Sequence, residues 1–276
     1  MQLGISTYTY GWAVGTATAY RSGDRSVVPM DEQTLLDRAV DLGVRLVQFG
    51  DNLPLHELPA ERLTALQRRA ERDGITLEIG ARGLTDEHLN RYVDLCCQFD
   101  ARLLRFVIDA PGCEPTMDEV VAVLRKATPL LHRHRIVLGL ENHDRLRASE
   151  FAGIVERVDS PNVGICLDSV NSMGAGEGLA EVVRTLAPHT VNLHVKDFGI
   201  ERLPYLMGFQ IDGRPAGRGL LNVPWLVAQI EPFGRCKTAI LEQWVVPEDD
   251  PSATIAKEVR WAEESMNYLK STNLFS

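Results

Sequence analysis

Eight short apolar runs alternate with segments of helical spacing along this 276-residue chain, and that alternation restricts the fold more than any other feature. The runs are Leu3–Tyr8, Val44–Phe49, Ile75–Ile79, Leu103–Ile108, Ile136–Glu141, Val163–Asp168, Val191–His194 and Thr238–Glu242. Strands that are apolar on both faces suit a parallel sheet covered by helices. Between them, Asp31 reads as the cap of a helix reaching Leu42. Further helices are predicted over Pro59–Asp73 (stopped by Gly74), Thr85–Phe99, Thr116–His134, about 148–158, 177–187 and 223–232, with a closing helix over Trp261–Leu269. The length alone allows one large domain or two modest ones. Eight strand-plus-helix units without a Pro/Gly linker or composition break predict an α/β chain folded as a single (β/α)8 TIM barrel over residues 1–276.

Four of the runs end in an acid or an imidazole: Glu141, Asp168, His194 and Glu242. The carboxyl ends of parallel strands face the rim where such barrels keep their sites, so these groups are expected to converge there. Unpaired buried carboxylates cost several kcal/mol and repel one another unless a cation lies between them. A divalent metal site is therefore predicted. Three oxygen donors and one imidazole make a fairly hard donor set, favouring Mn²⁺ or Mg²⁺ and permitting Co²⁺ or Zn²⁺. Such a cation polarises a carbonyl and a neighbouring hydroxyl and stabilises an enediolate when a proton or carboxylate leaves the adjacent carbon. Glu141 and Glu242, on opposite arcs of that half of the barrel, are candidate acid/base groups for the two faces of a substrate.

His194 and Lys196 alternate with apolar neighbours and share the inward face. Lys196 is a catalytic candidate as a positive charge for a carboxylate or oxyanion; an ion pair with Asp197 or a neighbouring ligand is the alternative. Asn171 and His143 follow two of the strand ends and are candidate substrate contacts, Asn171 also being a candidate helix cap. Arg82, Arg105 and Arg145 are candidates for gripping an anionic group through a planar fork. Tyr8, Trp12 and His56 are placed near the pocket by the early loops. The one long irregular stretch, Phe198–Asn222, carries Gly208, Gly213, Gly217 and Gly219 with Arg214 and Arg218. It follows the His194 strand, so it is expected to hang over the site as a lid, with Arg218 as a further substrate contact.

The net charge of −9 argues against a partner bound through phosphate neutralisation, so no nucleic-acid partner is expected. Five cysteines show no Cys-x-x-Cys pair, which suits free thiols in a reducing compartment. Neither a signal peptide nor a membrane span is visible, and a cytoplasmic protein without a membrane partner is expected. A homo-oligomer is compatible with the sequence, but no interface is legible in it.

At Glu141-Asn-His143, Cys166-Leu-Asp168-Ser-Val-Asn171, Leu193-His194-Val-Lys-Asp197 and Leu241-Glu242, the chain resembles the xylose isomerase-like barrel superfamily. The nearer likeness is to sugar isomerases and epimerases of the tagatose epimerase and inosose dehydratase type. The resemblance implies that Glu141, Asp168, His194 and Glu242 bind one divalent metal and that Glu141 and Glu242 also act as acid and base. It further implies a small sugar, keto-sugar or sugar acid as substrate, isomerised or epimerised through an enediolate. Asn171 stands where many relatives carry His. The superfamily also includes apurinic-site endonucleases, but the additional histidines of their zinc sites are not apparent. Other members dehydrate or decarboxylate oxo-acids, and Met207–Arg218 looks like the corresponding segment of sugar-acid decarboxylases of the 3-oxo-isoapionate type. A metal-dependent lyase is therefore the alternative to the isomerase, and a barrel that binds a metabolite or a partner without catalysis is the reading from another class.

Overall fold

The computed structural model describes residues 1–15 and 28–276. Eight parallel strands close on themselves: β1 (Gln2–Ser6), β2 (Leu46–Phe49), β3 (Thr76–Arg82), β4 (Leu103–Val107), β5 (Val137–Glu141), β6 (Val163–Asp168), β7 (Thr190–Val195) and β10 (Thr238–Leu241). Each pairs with its neighbour in sequence, with β7 pairing β10 and β10 pairing β1 to complete the ring. Around it lie α1 (Glu32–Asp41), α2 (Ala60–Asp73), α3 (Asp86–Phe99), α4 (Met117–His134), α5 (Ala148–Val158), α6 (Leu179–Leu186), α7 (Val223–Ile230) and α8 (Pro251–Ser271). The fold is a single (β/α)8 barrel, as the alternation predicts.

Local chemistry sets the helix ends. The Asp31 carboxylate accepts from the Thr34 amide at the start of α1, and the Thr116–Glu119 capping box opens α4. Gly74 ends α2 with φ +62°, a conformation that costs glycine no Cβ clash. Leu35, Leu36 and Ala39 of α1, at helical spacing, are buried against the barrel. Each fully buried Leu contributes about 1.5–3 kcal/mol. The closing helix starts ten residues before the predicted Trp261: Asp250 caps it and Pro251 occupies its first turn. Among the described residues, no helix is long and apolar enough to cross a membrane.

Two features depart from the predicted pattern. The stretch read as irregular instead contains an antiparallel hairpin, β8 (Asp197–Arg202) with β9 (Phe209–Arg214). Its apolar side chains Ile200, Leu206, Met207, Phe209 and Ile211 are exposed and only its base, at Asp197, Phe198, Gly199 and Gly213, is buried, so no alternating buried face betrays its period. Part of the expected loop from Gly11 to Pro29, residues 16–27, lies outside the described residues. The second departure is inside the barrel, where Gln48, Glu78, Arg105 and Asn192 are buried in place of hydrocarbon. Gly80 makes room for this: a Cβ there would lie 2.8 Å from Phe49 O and 3.2 Å from Arg105 Cδ.

Candidate active site and cation centre

Glu141 ends β5, Asp168 ends β6, His194 is the next-to-last residue of β7 and Glu242 directly follows β10. Their side chains are 1%, 0%, 0% and 2% exposed. One donor atom from each lies within 4.8 Å of the others. The register creates the cluster, since Asp168 pairs laterally with His194 and Glu141 with Cys166, bringing the strand ends to one height. His194 Nδ1 sits 3.3 Å from Glu242 Oε1, 3.8 Å from Glu141 Oε2 and 3.9 Å from Asp168 Oδ2, and is hydrogen-bonded to none of them. A buried nitrogen left unpartnered among three carboxylates is costly by itself and suits a shared cation. These four residues could hold one.

The surroundings of the carboxylates differ. Glu141 has both oxygens occupied: Arg105 Nε donates to Oε2, and Asn171 Nδ2 donates to Oε1 at 2.8 Å. Arg105 also binds Asp51 Oδ1 at 2.7 Å, and the Tyr8 hydroxyl donates to Asp51 Oδ2 at 3.1 Å. Burial alone would weaken the charge on Arg105, but Glu141 and Asp51 more than offset it and hold the guanidinium firmly protonated. Burial likewise raises the Asp51 carboxyl, yet Arg105 and Arg82 bring it below the usual range. Asp168 Oδ1 accepts from the backbone amides of Val170 and Asn171 at 2.7 and 2.9 Å, which leaves Oδ2 facing inward.

On the other side, Glu242 accepts from Ser6 Oγ at 3.2 Å, and Lys196 Nζ lies 3.1 Å from its Oε2 and 2.8 Å from Asp168 Oδ2. Burial favours neutral Lys196, but Asp168, Glu242 and Glu141 outweigh it and raise the ammonium above its ordinary value. The Glu242 carboxyl is raised by burial and pulled down further by His194 and Lys196, ending below its ordinary value.

The cluster thus brings together Glu141, Asp168, His194, Glu242, Lys196, Asn171 and Arg105. Lys196 pairs with Asp168 and Glu242, not Asp197. Asn171 and Arg105, expected at the substrate, spend the donors just described on Glu141. Arg82 contacts the Asp109 carbonyl at 3.2 Å and Asp51 at 3.5 Å, while Arg145 forks onto the Asp109 carboxylate at 2.6 and 2.9 Å. Arg218 is exposed and pairs with Glu264 of α8 at 2.5 Å. His143 is half-buried beside Asp144. His56 contacts the Tyr92 hydroxyl at 2.8 Å, and the Trp12 indole donates to Val245 O at 2.9 Å. Sequence reasoning missed Ser6, Gln48, Asp51 and Glu78. The available signal was a polar side chain within or just after an otherwise apolar strand, as in Leu46-Val-Gln48-Phe49 and Leu77-Glu78-Ile79.

A parallel barrel that gathers acids and an imidazole at its carboxyl rim defines a class in which a fixed scaffold carries interchangeable chemistry. The chain belongs to the xylose isomerase-like TIM barrel family, whose model matches residues 36–272. It is 33% identical over 276 residues to the 3-oxo-isoapionate decarboxylase of Pectobacterium atrosepticum, covering 100% of this chain and 98% of that protein. Among solved structures it resembles D-psicose 3-epimerase with D-tagatose from Clostridium cellulolyticum H10, at TM-score 0.70, 17% identity and 100% coverage of both chains. It also resembles a xylose isomerase-like TIM barrel protein from Mycobacterium smegmatis in complex with magnesium, at TM-score 0.66 and 15% identity, covering 86% of this chain and 88% of that one. At these identities the two structural likenesses establish the fold alone.

Proposed function

We propose that this protein is a divalent-cation-dependent decarboxylase of a 3-oxo sugar acid, with Glu141, Asp168, His194 and Glu242 holding the cation, Mn²⁺ or Mg²⁺ best suiting the donors. The observation that carries the reading is the unequal protonic equipment of its two sides. Arg105 and Asn171 occupy Glu141, and neither gives up a proton at ordinary pH. Glu242 accepts a hydrogen bond from Ser6 and lies beside Lys196, whose ammonium bears a transferable proton. Epimerisation needs a proton carrier on each face of the substrate carbon, whereas decarboxylation needs one. The full-length 33% relative supports the same choice.

When bound, the cation would supply positive charge to the ketone oxygen. The carbon–carbon bond to the carboxylate breaks, carbon dioxide leaves, and the electron pair flows toward that oxygen. Lys196, kept protonated by its carboxylate neighbours, gives its proton to the carbon that lost the carboxylate, and Glu242 keeps the ammonium in place. Arg105 holds Glu141 fixed as a ligand throughout.

The retained Glu141–Glu242 pair favours a second reading, ketose epimerisation. Incubation with 3-oxo-isoapionate and Mn²⁺ in deuterated water separates the two. Carbon dioxide release, with one solvent deuterium entering the product and no exchange into D-tagatose or D-psicose, is expected. Exchange into a ketohexose without carbon dioxide release from the oxo-acid would establish the epimerase instead.

A further inference from the structure

We propose that Gln48 is a positioning residue for the cation centre: it dictates which imidazole nitrogen of His194 faces the three carboxylates, and Glu78 and Asn192 lock it in that role. This rests on the reading of the quartet as a cation site.

Gln48 lies on β2, three strands around the ring from β7, and reaches across the barrel beneath the site. Its amide oxygen is 2.8 Å from His194 Nε2. Its amide nitrogen donates to Glu78 Oε2 at 2.9 Å and to Asn192 Oδ1 at 3.1 Å. Asn192 is tied down in turn: its oxygen accepts from Cys166 Sγ at 3.0 Å and its nitrogen donates to Thr238 Oγ1 at 2.8 Å. Every member of this network is buried or nearly so.

With both amide hydrogens committed to acceptors, the Gln48 oxygen is the end left for His194. A carbonyl oxygen can only accept, so Nε2 carries hydrogen and Nδ1 is the nitrogen turned toward Glu141, Asp168 and Glu242. Metal-binding imidazoles are commonly fixed in this way, by an acceptor for the nitrogen that does not bind the metal. Without that acceptor, the ring is free to place its hydrogen on Nδ1 and donate to Glu242 Oε1, 3.3 Å away. That tautomer closes the nitrogen to a cation. The arrangement also explains an amide and a carboxyl in the barrel interior, a costly place for polar groups that only complete hydrogen bonding makes tolerable.

The test uses the full-length, chelator-treated protein titrated with Mn²⁺ by calorimetry, with circular dichroism and thermal unfolding recorded alongside. Gln48→Leu, which keeps side-chain bulk and removes both functions of the amide, is expected to weaken Mn²⁺ binding about 10- to 100-fold while the barrel stays folded. Binding within twofold of the parent protein overturns the proposal and leaves the cation reading intact. If the parent itself binds neither Mn²⁺ nor Mg²⁺, the cation reading falls and this inference with it. A second measurement needs no variant: long-range proton–nitrogen spectra of metal-free, ¹⁵N-histidine-labelled parent protein in mild alkali should show His194 hydrogenated on Nε2. Hydrogenation on Nδ1 overturns the proposal.

Discussion

Arg105, buried, and Lys196, partly buried, are cations set among the site's carboxylates, yet their chemistry separates them. The guanidinium keeps its proton, so Arg105 can only fix Glu141 in charge and position; the ammonium can both neutralise charge and give a proton away. Lys196→Arg distinguishes these duties, because it retains charge beside Asp168 and Glu242 and removes the acid. Decarboxylation in that variant is expected to fall about 10²- to 10⁴-fold, as in Lys196→Met, with Mn²⁺ affinity little changed. Steady-state carbon dioxide release together with calorimetry checks this, and a fully active arginine variant would reduce Lys196 to an electrostatic role. Lys196 was legible in the sequence because it lies two residues beyond His194 in a strand of period two. The duty of Arg105 was not, because its partners lie elsewhere in the chain, Asp51 in the turn after β2 and Glu141 at the end of β5.

The β8–β9 hairpin owes its attachment to one carboxylate. Asp197 accepts backbone amides from Phe198 and Leu221 on Oδ1 and from Gly217 and Gly219 on Oδ2, at 2.8 to 3.0 Å. It therefore ties both ends of the excursion to the rim beside Lys196. A Cβ on Gly219 would run into Asp197 Oδ1 and Phe198 O, so glycine is required for the chain to wrap this closely. Asp197→Ala strips four amides of their acceptor and is expected to cost on the order of 3 kcal/mol, read by urea denaturation, with faster proteolysis confined to 198–222. Unchanged stability and protease resistance would show that the hairpin is held by other contacts. None of this was legible locally, since the exposed strands lack the alternation that identifies a half-buried sheet. The start of α8 was the opposite case: its Asp250-Pro251 signal was present in the sequence and passed over.

Across the barrel, two buried carboxyls, Glu78 and Glu258, form no ion pair among the described residues. Burial pushes Glu78 up to about 7, against the hydrogen bond from Gln48, and Glu258 up to about 7, against the Trp12 and Ala13 amides that it accepts. A carboxyl with a raised value in the folded state binds its proton more tightly there than in the unfolded chain. Its contribution to stability is complete below about 4.5 and is lost as pH rises through about 7. At about 1.4 kcal/mol per unit, each is worth roughly 3 kcal/mol across that window. Asp51 and Glu242, held low, act in the opposite sense, and their contributions disappear in acid. Urea denaturation is therefore expected to show stability declining from about pH 6 to about pH 8, across the titration near 7, with a shallower decline in Glu78→Gln. A flat profile in the parent protein would contradict the burial argument.

The alternation of apolar runs with capped helical segments was enough to specify the barrel, because strand period, helix period and end signals are all local. The same locality puts Glu141, Asp168, His194 and Glu242 at strand ends in the sequence itself. Which donors each of them receives was decided only when the ring closed. Arg105 meets Glu141 across 36 positions of sequence and Gln48 meets His194 across 146, and no local pattern encodes contacts that exist because eight strands share one interior.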